Sequence, residues 1–208
     1  MKMFKKGKKS GFTLMELLVV MTIIAILASA MVMGYGSVTR SAQRQKASEA
    51  VSQTAQALSI LLNKTKSWPA EIISYHGKDG AGRGMVKDVA KVFASHNLLG
   101  ISKDKSGNPI GISRFGVVDP WAEAVLKKEK ATLSSRVSSG GTVQDHIIYY
   151  AVDEDGDGIT VASVGGQALE IRATAVAWCA GADGKLEAYS RRGRSDDIYS
   201  WAKGHVVK

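Results

Sequence analysis

The stretch GFTLMELLVVMTIIAILASAMVM, residues 11–33, decides how the rest of this chain is interpreted. It follows a leader that contains five lysines, and from Phe12 to Met33 the only charged side chain is that of Glu16. A helix of these 22 residues is about 33 Å long, which is enough to cross the hydrocarbon core of a bilayer. A carboxylate inside such a segment costs about 2.5–3.5 kcal/mol to insert, so Glu16 is predicted to have a function.

The junction between the leader and the apolar stretch has a specific pattern. The basic leader 1–11 ends in Gly11, Phe12 follows, and Glu16 is the fifth residue after Gly11 (KKGKKSG/FTLMELLVV). This pattern resembles the class III signal peptide of the type IV pilin and type II secretion pseudopilin family. The resemblance implies that prepilin peptidase cleaves between Gly11 and Phe12 and that the new Phe12 amine is N-methylated. It also implies that Glu16 guides filament assembly by attracting the N-terminal amine of a neighbouring subunit.

Two other interpretations of the apolar stretch remain open. Residues 28–30 (Ala-Ser-Ala) look like the cleavage site of an ordinary secretory signal. In that case Glu16 would interrupt the start of the apolar region, and the apolar run would continue past the cut. The second interpretation is a plain membrane anchor with an incidental carboxylate.

The distribution of charge indicates the topology. The formal net charge is +9, and the lysines of the leader supply five of these charges, so +4 remains once the leader is removed. Lysines before the span favour a cytoplasmic N-terminus, and Arg40, Arg44 and Lys46 on the other side are fewer. We therefore expect the C-terminal domain to lie outside the cytoplasm. The family resemblance implies a single-pass protein of the bacterial inner membrane with a periplasmic head. After assembly it would lie in a periplasmic filament or a cell-surface pilus.

The pattern beyond the apolar stretch predicts an α+β fold with one long helix and a small antiparallel sheet. Apolar residues recur every three or four positions from Ala47 to Leu62, which is typical of one face of a helix. The helix is therefore predicted to have an apolar transmembrane half, 12–33, and an amphipathic half, 34–66. The remaining residues, 67–208, are expected to form a globular pilin-like head on which the helix packs.

Within the head the sequence predicts a short amphipathic helix between Val86 and Asn97, followed by strands. Three β-rich runs are predicted as strands, at 147–152, 159–164 and 169–178. The first two are expected to be joined by a tight acidic turn, which favours an antiparallel sheet.

The segment before these strands carries a second resemblance. Asp-Pro-Trp at 119–121 is similar to the turn that precedes the sheet in major pseudopilins, although Ala122 stands where that family usually has Gly. The next stretch, 122–145, is rich in serine and contains Gly140-Gly141. Its composition predicts an inserted loop that is exposed or mobile.

The sequence DEDGDG at 153–158 places Asp153, Asp155 and Asp157 on alternate residues, with glycine at the sixth position. Hard oxygen ligands in this spacing form the front of a Ca²⁺ loop. Val164 stands at the twelfth position, where an EF-hand has glutamate, and the flanking runs are strands, so an EF-hand is excluded. A hairpin turn without metal and a calcium-stiffened turn both remain open.

The C-terminal segment carries a third resemblance. GADGK at 181–185 and SDDIYSW at 195–201 resemble the calcium loop of the type II secretion major pseudopilin. The resemblance implies that Asp183 and Asp197 are Ca²⁺ ligands and that Asp196 adds a further oxygen. Together with Asp-Pro-Trp, this ending favours a pseudopilin-like subunit over a generic pilin.

Three arginines, Arg191, Arg192 and Arg194, depart from the acidic pattern that the family has in this loop. They could pair with the carboxylates and replace the ion. With Tyr189 and Tyr199 they could instead meet the phosphates and bases of a nucleic acid. A solvated loop is the simpler interpretation, so nucleic-acid binding is not expected.

The chain shows no sequence pattern that calls for catalysis. Its histidines share no metal-ligand spacing, and it has no P-loop, G-x-S-x-G or C-x-x-C pattern. The single cysteine, Cys179, forms no disulfide within the chain.

The family resemblance therefore implies a structural subunit, not an enzyme, that self-assembles into a helical filament. The partners it implies are prepilin peptidase, an inner-membrane assembly platform and minor pilins or pseudopilins. A pseudopilus for type II protein secretion is preferred, and a type IV pilus for adhesion, motility or DNA uptake is the alternative.

Overall fold

The computed structural model describes residues 13–75, 87–100, 102–103, 109–110, 116–128, 130–190, 195–201 and 203–207. The chain divides into two compact units, Met1–Ala42 and Gln43–Lys208, which are described separately. The predicted leader, Gly11 and Phe12 lie outside the described residues.

The predicted long N-terminal helix is confirmed. Helix α1 spans Leu14–Thr65 and passes Gly34 and Gly36 without a break. At its end Lys66 adopts a left-handed φ of 62°, and its amide donates a 2.7 Å hydrogen bond to the Leu62 carbonyl. This conformation costs a side-chain-bearing residue about 1–2 kcal/mol and stops the helix before Trp68-Pro69.

In the Met1–Ala42 unit, α1 is apolar around its whole circumference. The large apolar side chains from Leu14 to Leu27 expose between 47% and 89% of their surface. Among the helices that the structure describes, none satisfies the length and hydropathy criteria for a membrane span.

The Gln43–Lys208 unit contains short helices and antiparallel strands. After α1 come α2 (Ala70–Tyr75), α3 (Lys87–Ser95), the strand pair β1 (Ser102–Lys103) and β2 (Pro109–Ile110), and α4 (Pro120–Leu126). A 3-10 helix, Val143–His146, leads into β3 (Tyr149–Val152), β4 (Ile159–Val164), β5 (Gln167–Arg172), β6 (Ala175–Cys179) and β7 (Ile198–Tyr199). A second 3-10 helix, Lys203–His205, follows β7. Helix α3 confirms the predicted short helix.

The central sheet has the strand order β3-β6-β7 and is buried on both faces. One face packs on the helices, because Tyr150 and Ala177 share a core with Leu58 and Leu61 of α1. The other face packs on the β4–β5 hairpin, whose inward residues form a second core with alternate residues of β3 and β6. Each fully buried leucine contributes about 1.5–3 kcal/mol, so α1 is held firmly against the sheet.

The strand pairing differs from the sequence prediction in two ways. The acidic loop after Val152 does not close a hairpin, because β3 pairs with β6 while β4 pairs with β5. The tight turn is at Gly165-Gly166, where both residues have positive φ, as a two-residue hairpin requires. The predicted single strand 169–178 is two strands, because the chain turns at 173–174 and crosses from the hairpin to the central sheet.

Residues 122–145 are only partly the exposed loop that the composition predicts: Ser134, Ser138 and Ser139 are exposed and lie outside the helices and strands, but other parts of the segment are buried. Its first part belongs to α4, and buried apolar side chains recur along it, including Ala122, Val125, Val137 and Val143. These residues join the core that α1 forms with the sheet, so the segment is anchored despite its serines and glycines. That it is an insertion relative to pseudopilins stays a prediction.

Candidate functional site

The side chain of Glu16 caps the N-terminus of α1 by hydrogen bonding to Thr13, the residue that precedes the helix. Its Oε2 accepts hydrogen bonds from the Thr13 amide (2.8 Å) and the Thr13 hydroxyl (2.9 Å). The Glu16 amide donates in return to the Thr13 Oγ1 at 3.2 Å. This is a capping box, in which side chains satisfy amides that have no partner inside the helix. The Thr-x-x-Glu spacing would have revealed this contact, which the sequence analysis did not consider.

The acidic loop at 153–158 brings its three predicted ligands together. Within the described ranges, one group of three side chains of metal-ligand type has its ligand atoms all within 4.8 Å of one another, and its members are Asp153, Asp155 and Asp157. Asp153 accepts the Gly156 and Gly158 amides at 2.8 and 2.9 Å, so it also folds the loop by itself. Carboxylate oxygens so gathered fit the ligand set of Ca²⁺, and metal binding here stays a prediction.

The C-terminal loop uses its predicted ligands differently. The Asp196 Oδ2 accepts the amides of Ala182 (2.7 Å) and Asp183 (3.3 Å), and Asp183 accepts the Lys185 amide at 2.8 Å. These carboxylates accept hydrogen bonds from backbone amides. In the described part of the chain, their oxygens do not form a close group of three with those of Asp197.

Asp197 has one satisfied and one unsatisfied oxygen. Its Oδ2 accepts the Glu187 amide (3.1 Å) and the Tyr199 hydroxyl (3.0 Å), while its Oδ1 is buried without a partner in the structure. Burial raises the pKa of Asp197 to about 6. The free oxygen therefore suits a cation or a proton, and the predicted calcium ligation stays a prediction. The three arginines of this loop lie outside the described residues.

The N-terminal sequence matches a known family model. Residues 6–32 match the family model "Prokaryotic N-terminal methylation motif". The matched range contains the end of the leader, the Gly11-Phe12 junction and Glu16. Neither the curated proteins nor the solved structures gave a match to the chain.

The methylation motif is a type IV pilin-like prepilin signal. It indicates a membrane-anchored, pilin-like subunit that prepilin peptidase processes and that enters a filament. Proteins with this motif are structural pilin subunits, and that this chain is not an enzyme stays a prediction. The α+β architecture, with α1 on a small antiparallel sheet, is the fold that the motif leads one to expect.

The aromatic residues proposed for base stacking are engaged with one another. The Tyr199 ring lies 4.8 Å from the Trp201 ring and 5.3 Å from the Tyr189 ring, measured between centroids. Trp201 also packs edge-on against the buried Trp178. The described part of this loop therefore gives no support to nucleic-acid binding.

A buried pair, Asp119 and His146, is the polar site that sequence reasoning missed. Both side chains are fully buried, and Asp119 Oδ2 lies 2.7 Å from His146 Nδ1. The other ring nitrogen, Nε2, lies 2.9 Å from the Gly140 carbonyl, which can only accept. The Asp119 Oδ1 accepts the Trp121 and Ala122 amides and so caps α4.

The environment of this pair favours retention of a proton. Burial raises the pKa of Asp119, although the hydrogen bond from His146 opposes the shift. Burial opposes the charge on His146, but the hydrogen bond and the charge of Asp119 outweigh it and raise the histidine pKa. Both ring nitrogens face acceptors, so the pair holds one proton more than a neutral histidine beside a carboxylate. The pair links the N-terminus of α4 to the segment 140–146 through hydrogen bonds.

Proposed function

We propose that this chain is a structural subunit of a pseudopilus-type filament that acts in type II protein secretion. The match of residues 6–32 to the N-terminal methylation motif carries the proposal. The Asp-Pro-Trp segment and the acidic C-terminal loop support the pseudopilin choice, because both resemble the major pseudopilin. The type IV pilus remains the alternative class, to be separated by experiment.

The apolar surface of α1 supports an anchoring and assembly role. A helix that exposes large apolar side chains on all sides requires an apolar environment. The inner membrane supplies that environment before assembly, and the helices of neighbouring subunits supply it afterwards. Removal of residues 1–11 would leave Phe12 next to the Thr13 cap.

Glu16 is proposed to select the position of the incoming neighbour. In an apolar filament core an unpaired carboxylate is costly, and a facing Phe12 ammonium compensates it. The capping box keeps Glu16 tied to Thr13 at the end of α1, which reduces the freedom lost when the neighbour arrives.

Calcium is proposed as a stabiliser of the head, with the loop at 153–158 as the better-supported site. Its three carboxylates are gathered in the structure, whereas Asp183, Asp196 and Asp197 are not. The ion would relieve the repulsion among carboxylates, and its flexible oxygen ligands would suit Ca²⁺ better than Mg²⁺.

The mature N-terminus tests the proposal. We expect mass spectrometry of the chain from its own membranes to find a methylated Phe12 as the first residue. Gly11→Val should leave unprocessed precursor, because a larger residue would not fit the peptidase at this position, whereas Ala30→Val should be processed normally. An N-terminus immediately after Ala30 would contradict the pilin interpretation.

A second experiment separates the two filament classes. A strain that lacks the chain should retain its secreted proteins in the periplasm, and the wild-type gene should restore secretion. Normal secretion together with a loss of surface pili, adhesion or DNA uptake would favour the pilus alternative.

A further inference from the structure

A groove with apolar walls lies on the helical side of the Gln43–Lys208 unit. Its volume is about 540 Å³, and it lies between α1, the segment before α4 and α4 itself. The exposed residues of its lining are Lys46, Glu123 and Lys127, and Lys127 lies 3.2 Å from Glu123. The half-buried apolar residues of the lining are Ala50, Val117, Val118, Pro120 and Leu126.

An acidic cleft lies at the β4–β5 hairpin. It has a volume of about 570 Å³ between the acidic loop and the β4–β5 hairpin. Val161 is 59% exposed there and is the cross-strand partner of Glu170, so both side chains lie on the outer face of the hairpin. The lining has more carboxylates than apolar side chains: Glu154, Asp155, Asp157 and Glu170 against Val152, Ile159 and Val161.

We propose that the groove of one copy of this chain binds the acidic cleft of a second copy. Lys46 would then face Glu170, which is not one of the proposed calcium ligands, while Lys127 stays paired with Glu123 inside the groove. Val161 would cover the apolar wall that includes Leu126. Each surface has apolar residues surrounded by charged ones, as specific protein interfaces do. The exposed side chains of the groove carry a net charge of +1, from Lys46 and Lys127 against Glu123, which is opposite in sign to the charge of the cleft.

The position of the two surfaces determines the type of contact. They share no residue: the groove is lined by α1, α4 and the segment before α4, and the cleft by the acidic loop and the β4–β5 hairpin. A contact between two different surfaces is heterologous, and it repeats from copy to copy unless a rotation closes it into a ring. This is the type of contact that an open filament needs.

A second copy is the occupant that best fits the observations. The chain itself carries the complementary surface, and the proposed filament function, on which this inference rests, brings copies together through α1. A contact that is weak alone then suffices, because packing of the N-terminal helices raises the effective concentration of the heads.

Disulfide cross-linking of the full chain in its own membranes tests the proposal. One tagged copy carries Leu126→Cys and a differently tagged copy carries Val161→Cys. The native Cys179 is fully buried, and burial raises the pKa of its thiol to about 12, so it stays unreactive. After mild oxidation we expect at least tenfold more mixed dimer than with the matched pair Ala124→Cys and Ala168→Cys. Ala124 is exposed in α4 and Ala168 is exposed in β5 of the same hairpin as Val161, and neither residue lines the groove or the cleft.

Charge-reversal variants and the size of the cross-linked multimers test the proposed contact independently. A single chain with both cysteines should form a ladder of multimers, since the contact is heterologous. Lys46→Glu on the groove copy should reduce the mixed dimer at least fivefold, and Glu170→Lys on the cleft copy should restore it. A loss that is not restored would contradict the proposed pairing of charges.

Three outcomes separate the failure of this proposal from failure of the filament function. If copies cross-link through Leu17→Cys in α1 but not through Leu126→Cys and Val161→Cys, the filament stands and the docking proposal is wrong. If Leu126→Cys is also inaccessible to a thiol reagent, the chain's own residues cover the groove, which equally overturns the proposal. If the Leu17→Cys cross-link is absent and Gly11-Phe12 is not cleaved, the filament function itself fails.

Discussion

Replacement of His146 by alanine should destabilise the Gln43–Lys208 unit by about 3–5 kcal/mol. The change removes the 2.7 Å contact with Asp119 and the 2.9 Å contact with the Gly140 carbonyl. It leaves a fully buried carboxylate without its cationic partner, which is the situation in which loss of one partner costs this amount. A domain of ordinary stability has about 5–15 kcal/mol in total, so the loss should be large and easily measured.

Urea unfolding of the full chain in detergent, followed by tryptophan fluorescence, measures this effect. All four tryptophans lie in the Gln43–Lys208 unit, and the Trp121 ring lies 6.4 Å from the His146 ring, so the signal reports on this region. The matched control is His205→Ala, because His205 is exposed, and we expect it to change stability by less than about 0.5 kcal/mol.

A double-mutant cycle with Asp119→Asn isolates the pair. The double variant His146→Ala, Asp119→Asn should cost clearly less than the sum of the single variants, because it leaves no buried charge behind. Additive costs, or a cost below about 1 kcal/mol for His146→Ala, would refute a stabilising interaction between Asp119 and His146.

The pair also predicts how stability depends on pH. The folded-state pKa of His146 is raised above its ordinary value, so the folded chain binds the proton more tightly than the unfolded chain. Its contribution is complete below about pH 6.5 and is lost as the pH rises through the folded-state pKa. Wild type should therefore lose stability between pH 6.5 and alkaline pH, and His146→Ala should not show that loss.

Three further predictions concern the other sites. Glu16→Ala should still insert and be cleaved but should fail to form filaments, as seen by sedimentation and secretion assays; normal filaments would exclude the pairing role. Chelator should lower the Tm of the head, and Ca²⁺ but not Mg²⁺ should restore it. The bound ion should stabilise the head by up to about 2.7 kcal/mol at a hundredfold excess over Kd. Asp155→Asn should abolish the shift in Tm, and loss of the shift only with Asp197→Asn would place the ion in the C-terminal loop. With chelator present, acidification from pH 7 towards pH 4 should stabilise wild type by at most about 3 kcal/mol more than it stabilises Asp197→Asn. The reason is that the pKa of Asp197 is about 6 in the folded chain and 3.8 as its ordinary value, so the folded chain binds the proton more tightly. An identical pH profile for both proteins would count against the buried, unpartnered oxygen.

The sequence predicted those features that depend on local periodicity or on a contiguous motif. Helix α1 was predictable to within a residue of its end because apolar residues recur along its whole length and proline follows. The methylation motif was predictable because its diagnostic residues are adjacent in the chain. The gathering of Asp153, Asp155 and Asp157 follows from their alternate spacing in one turn.

The features that were missed depend on contacts between distant segments. Asp119 and His146 are 27 residues apart, and nothing in their local patterns indicates that the fold brings them to 2.7 Å. The pairing of β3 with β6 was missed because β-rich runs show where strands lie but not which strands pair. The turn at 173–174 consists of Ala173 and Thr174 and contains no Gly, Pro, Asn or Asp, so composition could not reveal it.

The short strand β7 has a consequence for the order in which the chain is delivered. It covers one edge of β6, the middle strand of the central sheet, yet it lies near the end of the chain. While the N-terminal anchor is already in place, β6 keeps a row of unpaired backbone amides and carbonyls until Ile198 and Tyr199 emerge. An open edge of this kind pairs readily with any other extended segment. Late arrival or proteolytic loss of the C-terminal segment would therefore direct the chain towards strand-exchanged aggregates at the membrane surface instead of towards ordered polymer.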